Sequence, residues 1–188
     1  MKTIASILIM LIALLLPISS IQGKYREYSS SVTLKGNPKR VVHNFLMWYK
    51  KNRTNLQKFR LVRANPGDST KAYRVDFKET EKYLTELKKS GFLSDQYINS
   101  FRQYFETADA NLKMNPQYDG PAEGFGFDLV LKAEEADEIL DRIPKLKMVT
   151  KPIDPDTTKV YVKLPYVYMV LKLIRSGNTW LIDSLDYV

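Results

Sequence analysis

The amino-acid sequence predicts an α+β fold, with N-terminal helices packed on a curved C-terminal antiparallel sheet of three to four strands in a cone-like arrangement. The first part of the chain repeats apolar residues at helical spacing. From Lys145 onwards the chain is rich in Val, Tyr, Ile and Thr and contains hairpin signals. Helices and strands do not alternate, and this order is typical of an α+β domain rather than a parallel βαβ sheet.

The composition restricts the chemistry. The 188 residues correspond to one domain, and 29 Lys and Arg against 21 Asp and Glu give a formal charge of +8. The chain has no Cys and a single His, His43, so disulfides, thiolate metal sites and thiol nucleophiles are excluded. No phosphate-binding or metal-ligand motif is present, and we predict neither a cofactor nor a metal site. The basic residues are scattered and lack an RNA-binding signature, so we predict no nucleic-acid partner.

The N-terminus predicts export. Lys2 precedes an apolar run from Ile4 to Leu16, which is shorter than the ~20 residues of a spanning helix and is followed by Pro and small residues. We therefore predict a signal peptide over residues 1–23, the alternative being an uncleaved anchor. A flexible lead-in over 24–36 and a single domain over 37–188 follow. The mature protein is then periplasmic or secreted, without a membrane span, and without a Cys it is not a lipoprotein.

Three helices are predicted in the first part of the domain. The first begins at Asn37, a favourable N-cap, and the second begins at a possible capping box of Asp76 and Glu79 and stops at Gly91. The third helix extends from near Ser94 to Asn115–Pro116 and carries one broad apolar face. The intervening residues 55–75 are ambiguous, with a turn at Asn65–Asp68, and a short strand is predicted within Ala72–Phe77.

A long loop and a run of strands complete the domain. The Gly- and Pro-rich stretch Asn115–Asp128 is predicted as a loop of the kind that is often functional, and Asp128–Ile143 as a short helix. A tight hairpin is predicted at Ser176–Asn178, and Pro165 marks a bend rather than a central ladder position. The predicted strands are Lys145–Lys151, Thr158–Leu164, Tyr166–Arg175 and Thr179–Val188.

Three segments resemble the nuclear transport factor 2-like superfamily, whose fold is the cystatin-like α+β cone. They are the helix Arg40–Tyr49, the run Asp128–Glu134 and the closing strand Asn178–Asp186 with its Trp, two apolar residues and Asp. Within that superfamily the chain is most similar to the exported bacterial domain of unknown function 3828. The resemblance implies helices closed over a curved sheet, often around a pocket. Some of these relatives are enzymes and many are binding modules, so the fold does not choose between these functions.

Asp128, Tyr49 and Tyr104 are the candidate site residues. Asp128 follows an aromatic and glycine-containing loop, and both tyrosines lie on apolar helix faces. A Tyr and Asp pair in an apolar pocket is suited to polarising a carbonyl group. The alternative is that Asp128 caps the following segment while both tyrosine rings belong to the core.

The sequence favours a non-catalytic module of the bacterial envelope that binds an unknown small ligand or an envelope protein. Its abundant tyrosines suit recognition surfaces, and it contains no catalytic constellation. Two alternatives stay open. One is a small-molecule isomerase- or hydratase-like enzyme that uses Asp128 with Tyr49 or Tyr104. The other is an immunity or inhibitor protein that acts on an envelope enzyme.

Overall fold

The computed structural model describes residues 36–63 and 70–188, and Gly36–Val188 form one compact unit. Four helices and two short strands come first in the chain: α1 (Pro38–Leu56), β1 (Val62–Arg63), β2 (Arg74–Val75), α2 (Phe77–Lys89), α3 (Asp95–Met114) and α4 (Ala136–Asp141). A 3₁₀ turn at Ile143–Lys145 leads into four longer strands: β3 (Lys147–Asp154), β4 (Thr157–Lys163), β5 (Tyr168–Ser176) and β6 (Thr179–Tyr187). The predicted α+β class is confirmed, with four strands in the C-terminal sheet. The predicted signal peptide and nearly all of the lead-in lie outside the described residues.

The C-terminal sheet is an antiparallel meander with the order β3-β4-β5-β6. Among the described strands β3 and β6 are not paired, so the sheet is open rather than a closed barrel. Because side chains alternate between the two faces of a strand, the residues in register form one buried and one outer face. The buried face packs against the helices through these residues: Val160, Val162, Met169, Leu171, Leu173, Ile182 and Leu185.

Helix α1 begins and packs as its sequence predicts. The Asn37 side chain accepts a hydrogen bond from the Lys39 N–H at 3.0 Å. Apolar residues at helical spacing are buried against the sheet and the neighbouring helices, and Phe45 lies at their centre with no exposed surface. The Phe45 ring stacks on Tyr49, with their centroids 6.2 Å apart. The buried stripe of α1 therefore holds Tyr49 in one orientation.

The N-terminus of α2 differs in part from the predicted capping box. Asp76 accepts hydrogen bonds from the N–H groups of Lys78 and Glu79, as predicted. The Glu79 carboxylate does not return to the Asp76 N–H, because that N–H donates to the Leu61 carbonyl at 2.8 Å. Glu79 pairs with Lys82 instead. This arrangement ties the start of α2 to the segment that leads into β1.

The start of α3 covers part of the edge of β6. Ser94 caps α3 by accepting from the Tyr97 N–H at 3.0 Å. Its backbone N–H donates to the Ile182 carbonyl, and the Ile182 N–H donates to the Phe92 carbonyl. Two backbone groups of β6 are thereby satisfied at an edge that would otherwise be free to pair.

Residues 128–143 correct the sequence prediction of one short helix. Only Ala136–Asp141 are helical. Residues 128–133 form a tight turn, which is closed by reciprocal backbone hydrogen bonds between Asp128 and Ala133 and contains Lys132 at φ +50°. The strand predicted within 72–77 is reduced to β2, and β1 is an additional short strand. The predicted turn Asn65–Asp68 lies outside the described residues.

No helix in the described part of the chain has both the length and the apolar character that crossing a membrane requires.

Candidate functional site

A cleft of about 460 Å³ opens beside the C-terminal half of α1. Its walls come from α1, from the segment leading into β1 and from the loop between residues 122 and 129, and its size is typical of small-molecule sites. Apolar and aromatic residues outnumber the charged and amide residues in the lining, but polar atoms form about half of its exposed surface. The lining includes Tyr49, Arg53, Ala122, Phe127, Asp128 and Glu134.

Tyr49 and Asp128 meet at the inner end of this cleft. The Tyr49 hydroxyl lies 2.9 Å from each of the two Asp128 carboxylate oxygens and donates its proton to them. Burial raises the pKa of Tyr49 far above its ordinary value, and the neighbouring Tyr83 phenol and the Asp128 charge raise it further. Tyr49 is therefore a neutral phenol that is fixed as a donor to Asp128.

Arg53 lies one helical turn after Tyr49 on the same face of α1 and completes the cluster. Its Nε donates to Asp128 Oδ2 at 2.8 Å, and its Nη1 donates to the exposed carboxylate of Asp137. Only 16% of the Arg53 side chain is exposed. Its Nη2 makes no hydrogen bond to any residue that the structure describes. Arg53 lines the cleft, and its guanidinium has more N–H donors than these two carboxylates use.

Asp128 also organises the turn that follows it. Its Oδ1 accepts the Leu131 N–H at 2.9 Å, in addition to the Tyr49 proton, while Oδ2 accepts from Arg53. A carboxylate has about four acceptor positions, and three donors, with the Tyr49 proton shared between the two oxygens, take up most of them. A general base needs a free lone pair within reach of the substrate proton. The observed geometry therefore suits Asp128 to positioning Arg53 and Tyr49 rather than to proton abstraction.

Tyr104, the third candidate, does not join the other two. Its hydroxyl donates to the Gly124 carbonyl, and it lines a second cavity of about 470 Å³ rather than the cleft. Beside it, the Phe125 ring stacks on Phe105, with the planes 5° from parallel. These contacts fasten the loop to α3. The structure thus brings together Tyr49 and Asp128 and leaves Tyr104 in a separate role.

Arg53 is the residue of this cluster that the sequence analysis missed. In the sequence, the Lys and Arg residues near the end of α1 have a simpler explanation, because cations are favourable at the C-terminus of a helix. The signal that distinguishes Arg53 is its spacing of four residues from Tyr49, which places it on the edge of the buried face. The exposed Lys50, by comparison, pairs with Asp141 at the surface.

Within residues 36–63 and 70–188, no three His, Asp or Glu side chains are grouped as metal ligands. The two cavities share the walls formed by Phe127, Leu129 and Glu134.

Comparisons with protein-family models, with curated proteins and with solved structures gave no match for this chain. The resemblance to nuclear transport factor 2-like proteins stays a prediction from the sequence.

Proposed function

We propose that the protein is an exported, non-catalytic binding module whose cleft takes a small, uncharged molecule with an apolar or aromatic body and a hydrogen-bond acceptor. The observation that carries the proposal is the position of Arg53, held between two carboxylates at the wall of a cleft that also contains several aromatic side chains. An acceptor on the ligand binds Arg53 Nη2, while the aromatic walls cover its body. Ligand sites usually combine polar groups that fix orientation with apolar and aromatic walls, and this cleft contains both.

The charges around Arg53 favour an uncharged ligand over an anion. The guanidinium charge is already balanced by Asp128 and Asp137, and Glu134 adds a further negative charge at the wall. An anionic headgroup entering the cleft therefore meets a net negative surrounding. A carbonyl or hydroxyl oxygen accepts a hydrogen bond from Arg53 without that repulsion.

The binding test uses the dye Nile red, which is uncharged, aromatic and carries a carbonyl group. We expect saturable fluorescence enhancement with the full chain and weaker binding of the anionic dye anilinonaphthalene sulfonate. The variant Ala122→Trp fills the cleft, whereas Ser100→Trp fills only the second cavity and serves as the matched control. Ala122→Trp should weaken Nile red binding about tenfold or more, and Ser100→Trp should leave it unchanged. The opposite pattern would assign the dye to the second cavity and refute the proposed site.

A second candidate function, an isomerase- or hydratase-like enzyme, is supported by the contact between Tyr49 and Asp128 at the cleft wall. In such an enzyme the Tyr proton polarises a carbonyl of the substrate. Here that proton is donated to Asp128, and the Asp128 oxygens are occupied. The arrangement is consequently better suited to binding than to proton transfer.

Export is supported by the N-terminal sequence and has its own test. The protein recovered from the envelope or medium of an expressing bacterial cell should begin close to Lys24 when its N-terminal peptide is determined by mass spectrometry. Recovery of a chain that retains residues 1–23 would favour the membrane-anchored alternative.

A further inference from the structure

The outer face of the C-terminal sheet carries rows of lysines. In the pairing of β3 with β4, Lys147 lies opposite Lys163 and Lys151 lies opposite Lys159. These four residues, here called the lysine face, flank the opposed pair Val149 and Tyr161 along the β3–β4 ladder. Side chains directly opposite one another on neighbouring strands are about 5 Å apart at Cβ, so like charges here repel.

The lysine face has no acidic partners. None of its four lysine side chains forms an ion pair with a residue that the structure describes. Lys151 Nζ lies over the Tyr161 ring, 4.8 Å from its centroid. By contrast, Lys172 on β5 and Lys132 in the 128–133 turn are neutralised by Asp183 and Asp186. Protection of an open sheet edge explains lysines on β3. It does not explain Lys159 and Lys163, because β4 is an internal strand.

An exposed apolar tip lies beside the lysine face. The turn between β4 and β5 presents Tyr166, of which 98% is exposed, together with the partly exposed Val167 and Tyr168. Tyr168 lies opposite Lys163 in the β4–β5 pairing, and Lys163 in turn lies opposite Lys147, so the tip and two lysines share one end of the sheet. Tyrosine is suited to the boundary between water and lipid because its ring is apolar and its hydroxyl polar.

We propose that the lysine face and the tip at Tyr166–Tyr168 dock this protein on the surface of a bilayer that contains anionic phospholipids. The lysines meet the lipid phosphates, and the tip enters the headgroup region. Two signals of this kind, basic charge and exposed apolar groups, together give stable peripheral binding. This inference does not depend on the cleft or its ligand.

The contacts that already cover the Tyr161 ring favour a lipid surface over an acidic polysaccharide or a nucleic acid. Those polymers use aromatic rings as stacking platforms. The Tyr161 ring is already covered by Lys151 and meets the edge of Tyr168, with an interplanar angle of 76°. The freely exposed ring is Tyr166, which lies at the tip and not in the centre of the face.

The experiment uses the protein as it is recovered after expression. It compares binding to vesicles of phosphatidylglycerol with phosphatidylcholine and binding to vesicles of phosphatidylcholine alone. Residues 1–35 are the same in every variant, so their contribution cancels when variants are compared. We expect at least tenfold tighter binding to the anionic vesicles, and this preference should diminish as salt is raised from 50 to 500 mM. Replacing all four residues of the lysine face by Gln should remove the preference, and Tyr166→Ser should weaken anionic binding several-fold.

The matched control carries the same loss of four charges on the helical part of the surface, through replacement of these exposed lysines by Gln: Lys39, Lys51, Lys58 and Lys78. It should retain at least half of the wild-type preference. Equal loss in both variants would show a general charge effect and overturn the proposal. So would equal binding of the wild-type chain to both vesicles, or binding to a soluble acidic polysaccharide that outcompetes the vesicles. Circular dichroism checks folding, and the salt and Tyr166→Ser measurements test the proposal without the fourfold variant.

Discussion

Asp128 is a buried carboxylate whose hydrogen bonds join α1 to the turn that follows the cleft loop. It receives the Tyr49 hydroxyl, the Arg53 guanidinium and the Leu131 backbone N–H, and only 3% of its side chain is exposed. Removing its charge leaves Arg53 largely buried beside a neutral amide, which is costly because a buried charge needs a partner. At the residue scale, therefore, Asp128 is first of all a structural residue of the cleft.

The variant Asp128→Asn should lower the free energy of unfolding by about 2 to 3 kcal/mol. Urea unfolding followed by circular dichroism measures this loss. The matched control Asp137→Asn removes the other partner of Arg53, but Asp137 is 81% exposed, so its loss should cost at most about 1 kcal/mol. If Asp128→Asn kept the wild-type stability, Asp128 would be free of a structural role and the enzymatic alternative would gain support.

Asp109 is a second buried carboxylate that forms an ion pair, on the apolar face of α3, and its partner Arg74 is partly exposed. Its carboxylate accepts two hydrogen bonds from Arg74 at 2.8 Å and one from the Val75 N–H. Hydrogen bonding from Arg74 is the largest influence and, helped by Lys113 and the Val75 N–H, holds the pKa of Asp109 well below its usual range despite burial. The sequence offered one sign of this pair, namely an acidic residue within a buried helical stripe.

The depressed pKa of Asp109 predicts a pH-dependent stability. A carboxylate with a lowered folded-state pKa stabilises the protein above its unfolded pKa of about 3.9 and loses that contribution as the pH falls towards the folded value. Asp109→Asn should therefore be less stable than wild type at pH 7, and the difference should shrink below about pH 4. Urea unfolding midpoints of both proteins between pH 7 and 2.5 measure this. A constant difference across that range would contradict the assignment.

At the scale of elements, the loop from Asn115 to Asp128 is fastened rather than free. Gly124 has φ +83°, a conformation that favours glycine, and a Cβ placed there would lie 2.9 Å from the Tyr104 hydroxyl. That hydroxyl donates to the Gly124 carbonyl. The sequence predicted a loop with several glycines, but only the packing against Tyr104 shows why this glycine is required.

The variant Gly124→Ala should destabilise the protein by about 1 to 2 kcal/mol through backbone strain and the close approach to Tyr104. Tyr104→Phe removes only the hydrogen bond and should cost about 1 kcal/mol. Because the loop forms one wall of the cleft, Gly124→Ala should also weaken Nile red binding. Thermal unfolding and dye titration of both variants measure these effects, and a fully stable Gly124→Ala protein would show that the loop tolerates a side chain here.

The molecule as a whole depends on one continuous core between the helices and the sheet. Phe45 is fully buried within it and contacts three aromatic neighbours, Trp48, Tyr49 and Phe92. Truncation of the Phe45 side chain removes contacts on several sides and leaves a cavity that the surrounding side chains fill only in part. Phe77, at the start of α2, is 44% exposed and provides the matched comparison.

Phe45→Ala should lower the free energy of unfolding by about 3 to 5 kcal/mol, whereas Phe77→Ala should lower it by less than about 1 kcal/mol. Calorimetry should show a single cooperative transition for residues 36–188 in both variants. A separate transition for the helices in Phe45→Ala would contradict one shared core.

The sequence by itself determined the order of helices and strands, the caps at Asn37 and Asp76, and the hairpin between β5 and β6. These features are local, since propensity, caps and turns act over a few residues. The short helix predicted over 128–143 is present only at Ala136–Asp141, because the backbone hydrogen bonds between Asp128 and Ala133 close a turn before it.

The sequence named Asp128 and Tyr49 as candidates, but only the tertiary structure decided that they meet, that Arg53 joins them and that Tyr104 does not. Tyr49 and Asp128 are separated by 79 positions, and Arg53 and Asp128 by 75, so no local pattern specifies that they meet. The lysine face likewise depends on strand register, which sets residues from different strands opposite one another. Local physics fixes the elements of this chain, whereas packing between distant segments fixes which charges are paired, which are left open and where the cleft forms.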